Sequence, residues 1–338
     1  MQIPAPRGPV SAGLADTLSG RRADLPAGLA AHVRDDGDCL VDEDLQLALF
    51  MCYELHYRGF DAAAEAWEWR PELLALRAVL EQRFERRLRD LVGPVPAVAP
   101  EEVPAALAAL VAADDGPAVS EFLRRRASRA QFREFVVHRS LYHLREADPH
   151  TWAIPRLSGA AKAALVEIQS DEYGGGRVGR MHATLFRGVL RFFDLSEEYG
   201  HYLDEVPAYS LAVNNLMSLC GLHRRLRGAI VGHLAAYEMT SCVPNRRYGL
   251  GLRRLGADAA AARFYDEHAE ADAVHEQIAA HDLCGRFARA EPAQVDNVLF
   301  GAAAALRLDA LAGAAMLERW AAGGSTLREG QVPCGTAA

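Results

Sequence analysis

A chain of 338 residues, half of them hydrophobic and 24% charged, with 28 Gly against 16 Pro, has the make-up of a globular protein of one large or two small domains. Its 37 basic and 45 acidic residues leave a formal charge of −8, which argues against a protein that holds nucleic acid by neutralising phosphates. Six cysteines with no C-x-x-C pair exclude a zinc ribbon or redox dithiol, and no secretory leader or apolar run near the ~20 residues of a bilayer span is evident. The expected location is cytoplasmic, with no membrane partner.

Residues 1–38, rich in Pro, Gly, Ala and Asp, are expected to be loose, and so are residues 322–338. Between them apolar residues recur every three or four positions and strand-like alternation is scarce, so the chain reads as all-helical. Asp42, Glu43 and Asp44 open a helix that ends near Gly59, and a second runs from Pro71 to about Leu91. Pro94, Pro96, Pro100 and Pro104 mark a boundary extending to Asp115–Pro117, which makes residues 39–117 an N-terminal helical extension. One long helix is expected from Val119 to Ala147, because Pro149 pushes its predecessor out of helical geometry and Asp148 into a turn. The stretch 159–193 is helical but interrupted by Gly174, Gly175 and Gly176. Further helices are expected at about 206–241, 257–285 and 291–321.

The sharpest chemical feature lies on the helix 257–285. At about 100° per residue, His268, Asp272 and His275 fall within a stripe about 60° wide, so they share one face over about 10.5 Å of rise. Two imidazoles and a carboxylate so placed are candidate ligands for two metals, and imidazole with carboxylate suits iron or manganese. An acidic, solvated helix face is the plainer reading, since Asp266, Glu267, Glu270 and Glu276 lie nearby. A bundle metal site needs ligands from facing helices as well. Glu146, in Arg145-Glu-Ala-Asp-Pro-His150, and Glu172 and His182, which bracket the glycine triplet, are the available candidates.

This succession resembles the haem-oxygenase-like non-haem di-iron oxidases and oxygenases, the iron-containing redox enzymes of which many actinobacterial members carry the same Glu-Ala-Asp-Pro-His and Asp-Glu-Tyr-Gly strings. The resemblance spans roughly residues 118–321 and implies an all-α haem-oxygenase-like bundle behind the N-terminal extension. It implies Glu146, Glu172, His182, His268, Asp272 and His275 as metal ligands and catalytic residues, two Fe(II) ions, O2 as co-substrate and no haem. Some members have a further carboxylate three residues before the middle histidine; Gly179 stands there, so that ligand is absent. On a straight helix Glu172 and His182 would be about 15 Å apart, a span the glycine run can shorten.

Other candidates are weaker. Glu134 and His138 are i, i+4 and most simply a surface pair; Glu198 and His201 form one E-x-x-H in a turn. Glu238, just before Pro244, reads as a helix-end carboxylate in reserve, and Glu54 and His56 as polar contacts of the extension. The functions to be weighed are N-oxygenation of an amino acid or amine in natural-product biosynthesis, oxidative C–C cleavage or desaturation of an aliphatic substrate, and non-catalytic binding by a helical protein. A small-molecule substrate is the expected partner. There is room for an external electron donor, and Trp67 and Trp69 could cover a homodimer contact.

Overall fold

The computed structural model describes residues 1–33 and 37–328, except for the side chains of residues 271–273. Among the described residues there are helices and no strands, as expected of an all-α chain. In order they are α1 (Pro9–Leu18), α2 (Glu43–Glu54), α3 (Pro71–Val92), α4 (Val103–Ala112), α5 (Val119–Arg125), α6 (Arg129–His143), α7 (Asp148–Thr151), α8 (Gly159–Glu172), α9 (His182–Phe192), α10 (Ala208–Leu222), α11 (Arg227–Arg254), α12 (Ala259–Gln277), α13 (Arg286–Ala290) and α14 (Val295–Ala321). The helix α11 is the axis of the bundle, with α12 and α14 along it and α5 across its C-terminal half; α12 in turn packs on α9.

Several boundaries differ from the sequence expectation. Within the segment expected to be loose, residues 1–38, Pro9–Leu18 form a packed helix: α1 buries Val10, Leu14 and Leu18, one stripe at i, i+4, i+8, against α2. Asp44 anchors its start by accepting hydrogen bonds from the backbone N–H groups of Val10 and Ser11 at 2.8 and 2.7 Å. The 119–147 helix is two. Ser128 caps α6 by accepting from the Gln131 N–H at 3.2 Å while Gln131 Oε1 accepts from the Ser128 N–H at 2.9 Å, a reciprocal cap strong enough to start a new helix. Asp148 opens the short helix α7 rather than a turn.

The expected helix 206–241 is likewise split, at His223, and its second half does not end before Pro244 but carries that proline inside α11. The stretch 278–285 is a π-helix, wider than the α-helix expected, and it packs on α8. Of the tail, residues 322–328 are docked: Thr326 is buried and its N–H donates to Glu134 Oε2 at 3.0 Å. Residues 329–338, Cys334 among them, lie outside the described residues.

The segment 292–321 is, contrary to the expectation, apolar and long enough by composition to cross a membrane; here its apolar positions are buried against α10 and α11. That contact is close because it is made by glycines. A Cβ on Gly232 would overlap the Val298 carbonyl, and one on Gly301 would overlap that of Ala229, so each helix presents a bare backbone to the other. Gly232→Ala is therefore expected to lower unfolding stability by about 1–3 kcal/mol, the usual range for overpacking a core, read as a reduced midpoint in urea. An unchanged midpoint would contradict the close crossing.

Candidate metal centre

The turn after α6 carries the first carboxylate. Ala147 has φ 74°, left-handed and costly for a residue with a Cβ, and its carbonyl accepts a 2.9 Å hydrogen bond from Gln169 Nε2 on α8. Tyr173 Oη donates to Asp148 Oδ1 at 2.9 Å and lies 2.9 Å from Thr151 Oγ1, so the end of α8 is fastened to this turn at two points. The turn faces two ways. Arg145 is fully buried toward the N-terminal extension, with its guanidinium 4.5 Å from the Tyr57 ring centroid and 3.4 Å from Glu54 Oε2, itself bonded by Tyr199 Oη at 2.7 Å. Its neighbour Glu146 points into the bundle.

Glu172 is the last residue of α8 and His182 the first of α9. Between them Gly174, Gly175 and Gly176 all have positive φ (66°, 59° and 75°), which folds the chain back on itself. The two side chains, expected far apart on a straight helix, meet with His182 Nδ1 2.9 Å from Glu172 Oε2. From α12, His268 Nε2 lies 3.6 Å from Glu146 Oε1, and the His182 and His268 ring centroids are 4.2 Å apart. One ligand atom from each of Glu146, Glu172, His182 and His268 lies within 4.8 Å of every other, and all four residues are buried.

A second group adjoins the first. Glu172, Glu238 and His275, all buried, also bring ligand atoms within 4.8 Å of one another, with His275 Nδ1 3.3 Å from Glu238 Oε2. Glu172 belongs to both. Of the six side chains the sequence pointed to, five stand in these two groups; the sixth, Asp272, lies on α12 between the two histidines, with its side chain outside the described residues. Glu238 takes a place the sequence did not give it. Pro244 stands within the helix and does not end it, so Glu238 sits in the middle of α11, beside α12.

Several groups outside the two clusters orient them. His268 Nδ1 lies 2.9 Å from the Phe264 carbonyl, which fixes the tautomer and leaves Nε2 for the cluster. His275 Nε2 lies 3.0 Å from Asp171, leaving Nδ1 to face Glu238. His143 Nδ1 is 2.8 Å from Glu146 Oε1, an orienting contact that no sequence motif signalled. A further buried pair is His150 Nε2 and His233 Nδ1 at 3.1 Å; His150 lines a cavity that Glu146, Glu172 and His268 also line. Burial pushes the His150 pKa down to about 4 and that of His233 well below its ordinary value, so both are neutral.

The donor set fits a cation. Glu146 Oε2, Glu172 Oε2, His182 Nδ1 and His275 Nδ1 are buried without a hydrogen-bond partner among the described residues. Glu172 and His182 approach closely, yet not along a donor–acceptor direction, as expected of two lone pairs aimed at one point between them. Burial alone would raise the Glu146 pKa, but the adjacent His143 and His268 overcome this and hold it well below the ordinary carboxylate range. Burial would lower His275 too; Glu238, Asp171 and Glu172 reverse that and push it up to about 9. A proton on this imidazole supplies the positive charge that a metal would otherwise bring.

The weaker candidates are elsewhere. Glu134, half-buried, accepts from Trp320 Nε1 of α14 at 2.8 Å and from the docked tail, and buried His138 lies 2.7 Å from Ser210 Oγ and 2.9 Å from Thr326 Oγ1, so the pair fastens α6 to α14, α10 and the tail. Glu198 and His201 are in a turn. His56 lies 3.1 Å from Glu68, and Glu54 is committed to Arg145 and Tyr199, which makes both polar contacts of the extension.

The chain belongs to the family of iron-containing redox enzymes with the haem-oxygenase-like fold: that family's sequence profile matches residues 133–310, more than half of the chain and every residue of the two clusters. It is accordingly an iron-dependent oxidoreductase. No curated protein matches it.

The His275 proton has a consequence for the metal-free protein. Its folded-state pKa of about 9 exceeds the ordinary value of 6.5, so its stabilising contribution is complete below about pH 6.5 and lost as pH rises through about 9. The urea midpoint of metal-free protein is expected to fall between pH 6.5 and 9 and to fall less in His275→Ala; equal slopes in the two proteins would contradict the placement of Glu238 and Asp171 around this ring.

Proposed function

We propose that this iron-dependent oxidoreductase holds two Fe(II) ions and uses O2 to oxidise a small metabolite, with N-oxygenation of an amino acid or amine the reading preferred. The observation that carries it is the sharing of Glu172 between two buried carboxylate–imidazole groups. Glu146, His182 and His268 with Glu172 would hold one ion, and Glu238 and His275 with Glu172 the other. Asp272 joins the set from its position at i+4 and i−3 to the two histidines, the spacing that puts all three on one helix face. Four carboxylates against two dications balance charge in an interior that tolerates no excess of either sign. A haem would instead call for one axial histidine beside a broad flat slot, which makes poor use of so many carboxylates.

Bound Fe(II) supplies the electrons that reduce dioxygen. What the chain itself does is positional and electrostatic. The Phe264 carbonyl and Asp171 keep each α12 histidine turned to the cluster, His143 steadies Glu146, and the glycine triplet allows Glu172 and His182 to converge. Neutral His150, backed by neutral His233, and the ring of Tyr142 border the cavity of about 150 Å³ beside Glu146 and Glu172, limiting water there. Cleavage or desaturation of an aliphatic substrate would use the same residues, and the product decides: N-oxygenation adds oxygen, desaturation removes two hydrogens and cleavage shortens the skeleton. Biosynthetic context, a cytoplasmic setting and an external electron donor accord with this reading.

Anaerobic loading with Fe(II), followed by metal analysis and mixing with O2, tests it. About two irons per chain and rapid O2 consumption are expected. Glu172→Ala should lose both ions, whereas Glu238→Ala should keep about one while consuming little O2, with helix content by circular dichroism unchanged in each. Fewer than one iron per wild-type chain with no O2 uptake would favour the non-catalytic binding protein. Two irons retained in Glu172→Ala would reject the shared ligand.

A further inference from the structure

The cavity beside the cluster has a second polar end. Glu146, Glu172 and His268 form one end; on its walls from α6 and α14, Arg139 and Asp309 face each other with Nη1 and Oδ1 3.3 Å apart. Arg139 lies one turn before His143 on α6, and Glu146 follows in the turn just past the end of that helix. Tyr142, Leu234 and Pro244 line it as well, together with Thr240, Ser241 and Asn245, so the charged pair and the metal-ligand cluster share one cavity of mixed polarity.

The pair is not a closed structural salt bridge. Of the five N–H donors of the Arg139 guanidinium, one hydrogen bond, to Asp309, is formed among the described residues. The side chains of Arg139 and Asp309 keep 24% and 33% of their surface accessible, whereas Arg145 and Glu54, a pair sealed in the core, keep 1% and 0%. Tyr237 Oη, on the same cavity, is buried beside Arg139 without a well-directed hydrogen bond. The structure thus offers a cation with unused donors, an anion and an unsatisfied hydroxyl around one space.

We infer that Arg139 and Asp309 receive the α-carboxylate and α-ammonium groups of an amino acid, whose side chain then extends toward the metal-ligand cluster. The charge balance selects this class. A simple carboxylate bound to Arg139 leaves Asp309 uncompensated, and a simple amine bound to Asp309 leaves Arg139 so, each at the expense of a part-buried charge; a zwitterion inserted across the pair satisfies both. Arginine with a carboxylate is the strong, bidentate pairing among charge-assisted hydrogen bonds, and Tyr237 Oη adds a further donor or acceptor. A cavity of about 150 Å³ has room for a small molecule of this class and for nothing as large as a peptide. The oxidised position is then at the end of the side chain and not at the α-nitrogen. Only this last statement rests on the proposed oxidation; the head-group site does not.

Calorimetric titration of the metal-free full-length protein with three isosteric probes separates the cases: L-norleucine, hexanoate, which lacks the α-ammonium group, and pentylamine, which lacks the carboxylate. Norleucine is expected to bind at least tenfold more tightly than either. In Asp309→Asn its advantage over hexanoate should vanish, and in Arg139→Gln its advantage over pentylamine. Comparable binding of norleucine and hexanoate to the wild-type protein, or no norleucine binding at millimolar concentration, would overturn the inference without any variant. A pair that serves only the fold would lower stability in the variants while leaving the probe ratios unchanged, which equally overturns it. Norleucine selectivity in a protein that neither loads two irons nor consumes O2 would uphold the head-group site and remove the oxidation reading; the reverse pattern would do the opposite.

Discussion

The burial of like charge at one place is the constraint around which this bundle is arranged. Glu146, Glu172 and Glu238 are each less than a tenth exposed, and they lie together with three imidazoles in an interior where an unpaired carboxylate would cost several kcal/mol. Without a cation the cluster is held by a proton on His275 and by the contacts of His143 and His268 with Glu146. Buried lone pairs that converge without hydrogen-bonding one another are better explained by a metal than by packing.

The rest of the fold serves that convergence. Bare glycine contacts let α11 and α14 approach closely, while Glu238 of α11 meets His275 of the neighbouring α12. The 144–148 turn is held in a left-handed conformation at Ala147 by Gln169, with Arg145 locked into the N-terminal extension on one side and Glu146 delivered to the cluster on the other. The N-terminal helix α2 is therefore joined to the centre: it carries Glu54, and Glu54 meets Arg145, the neighbour of Glu146. The cavity reaches from this centre along α6, whose successive turns carry Arg139, His143 and, just past its end, Glu146.

Much of this could be read from the chain. The i, i+4, i+7 spacing of His268, Asp272 and His275 placed three groups on one face before any coordinates were considered, and the glycine triplet marked the only place where Glu172 and His182 could draw together. Where the expectation failed, a local signal had been weighed without its surroundings. Pro244 is locally a stop signal, but α11 is packed by α12, α14 and α5 and keeps the proline inside it, which places Glu238 mid-helix. The apolar positions of α1 were hidden among prolines and glycines, and their burial depends on α2 being there to receive them.

By itself, the sequence determined the helical class, the family and most of the candidate ligands, because helical periodicity and residue spacing are local properties carried by consecutive positions. Only the tertiary structure decided that Glu172 stands in two groups at once, that Glu238 completes the second, that His143 and Asp171 orient their neighbours, and that Arg139 and Asp309 share a cavity with the cluster. Each of those facts is a distance between helices far apart in the chain. Such distances are set by how backbones cross and turns reverse, which no spacing along one helix encodes.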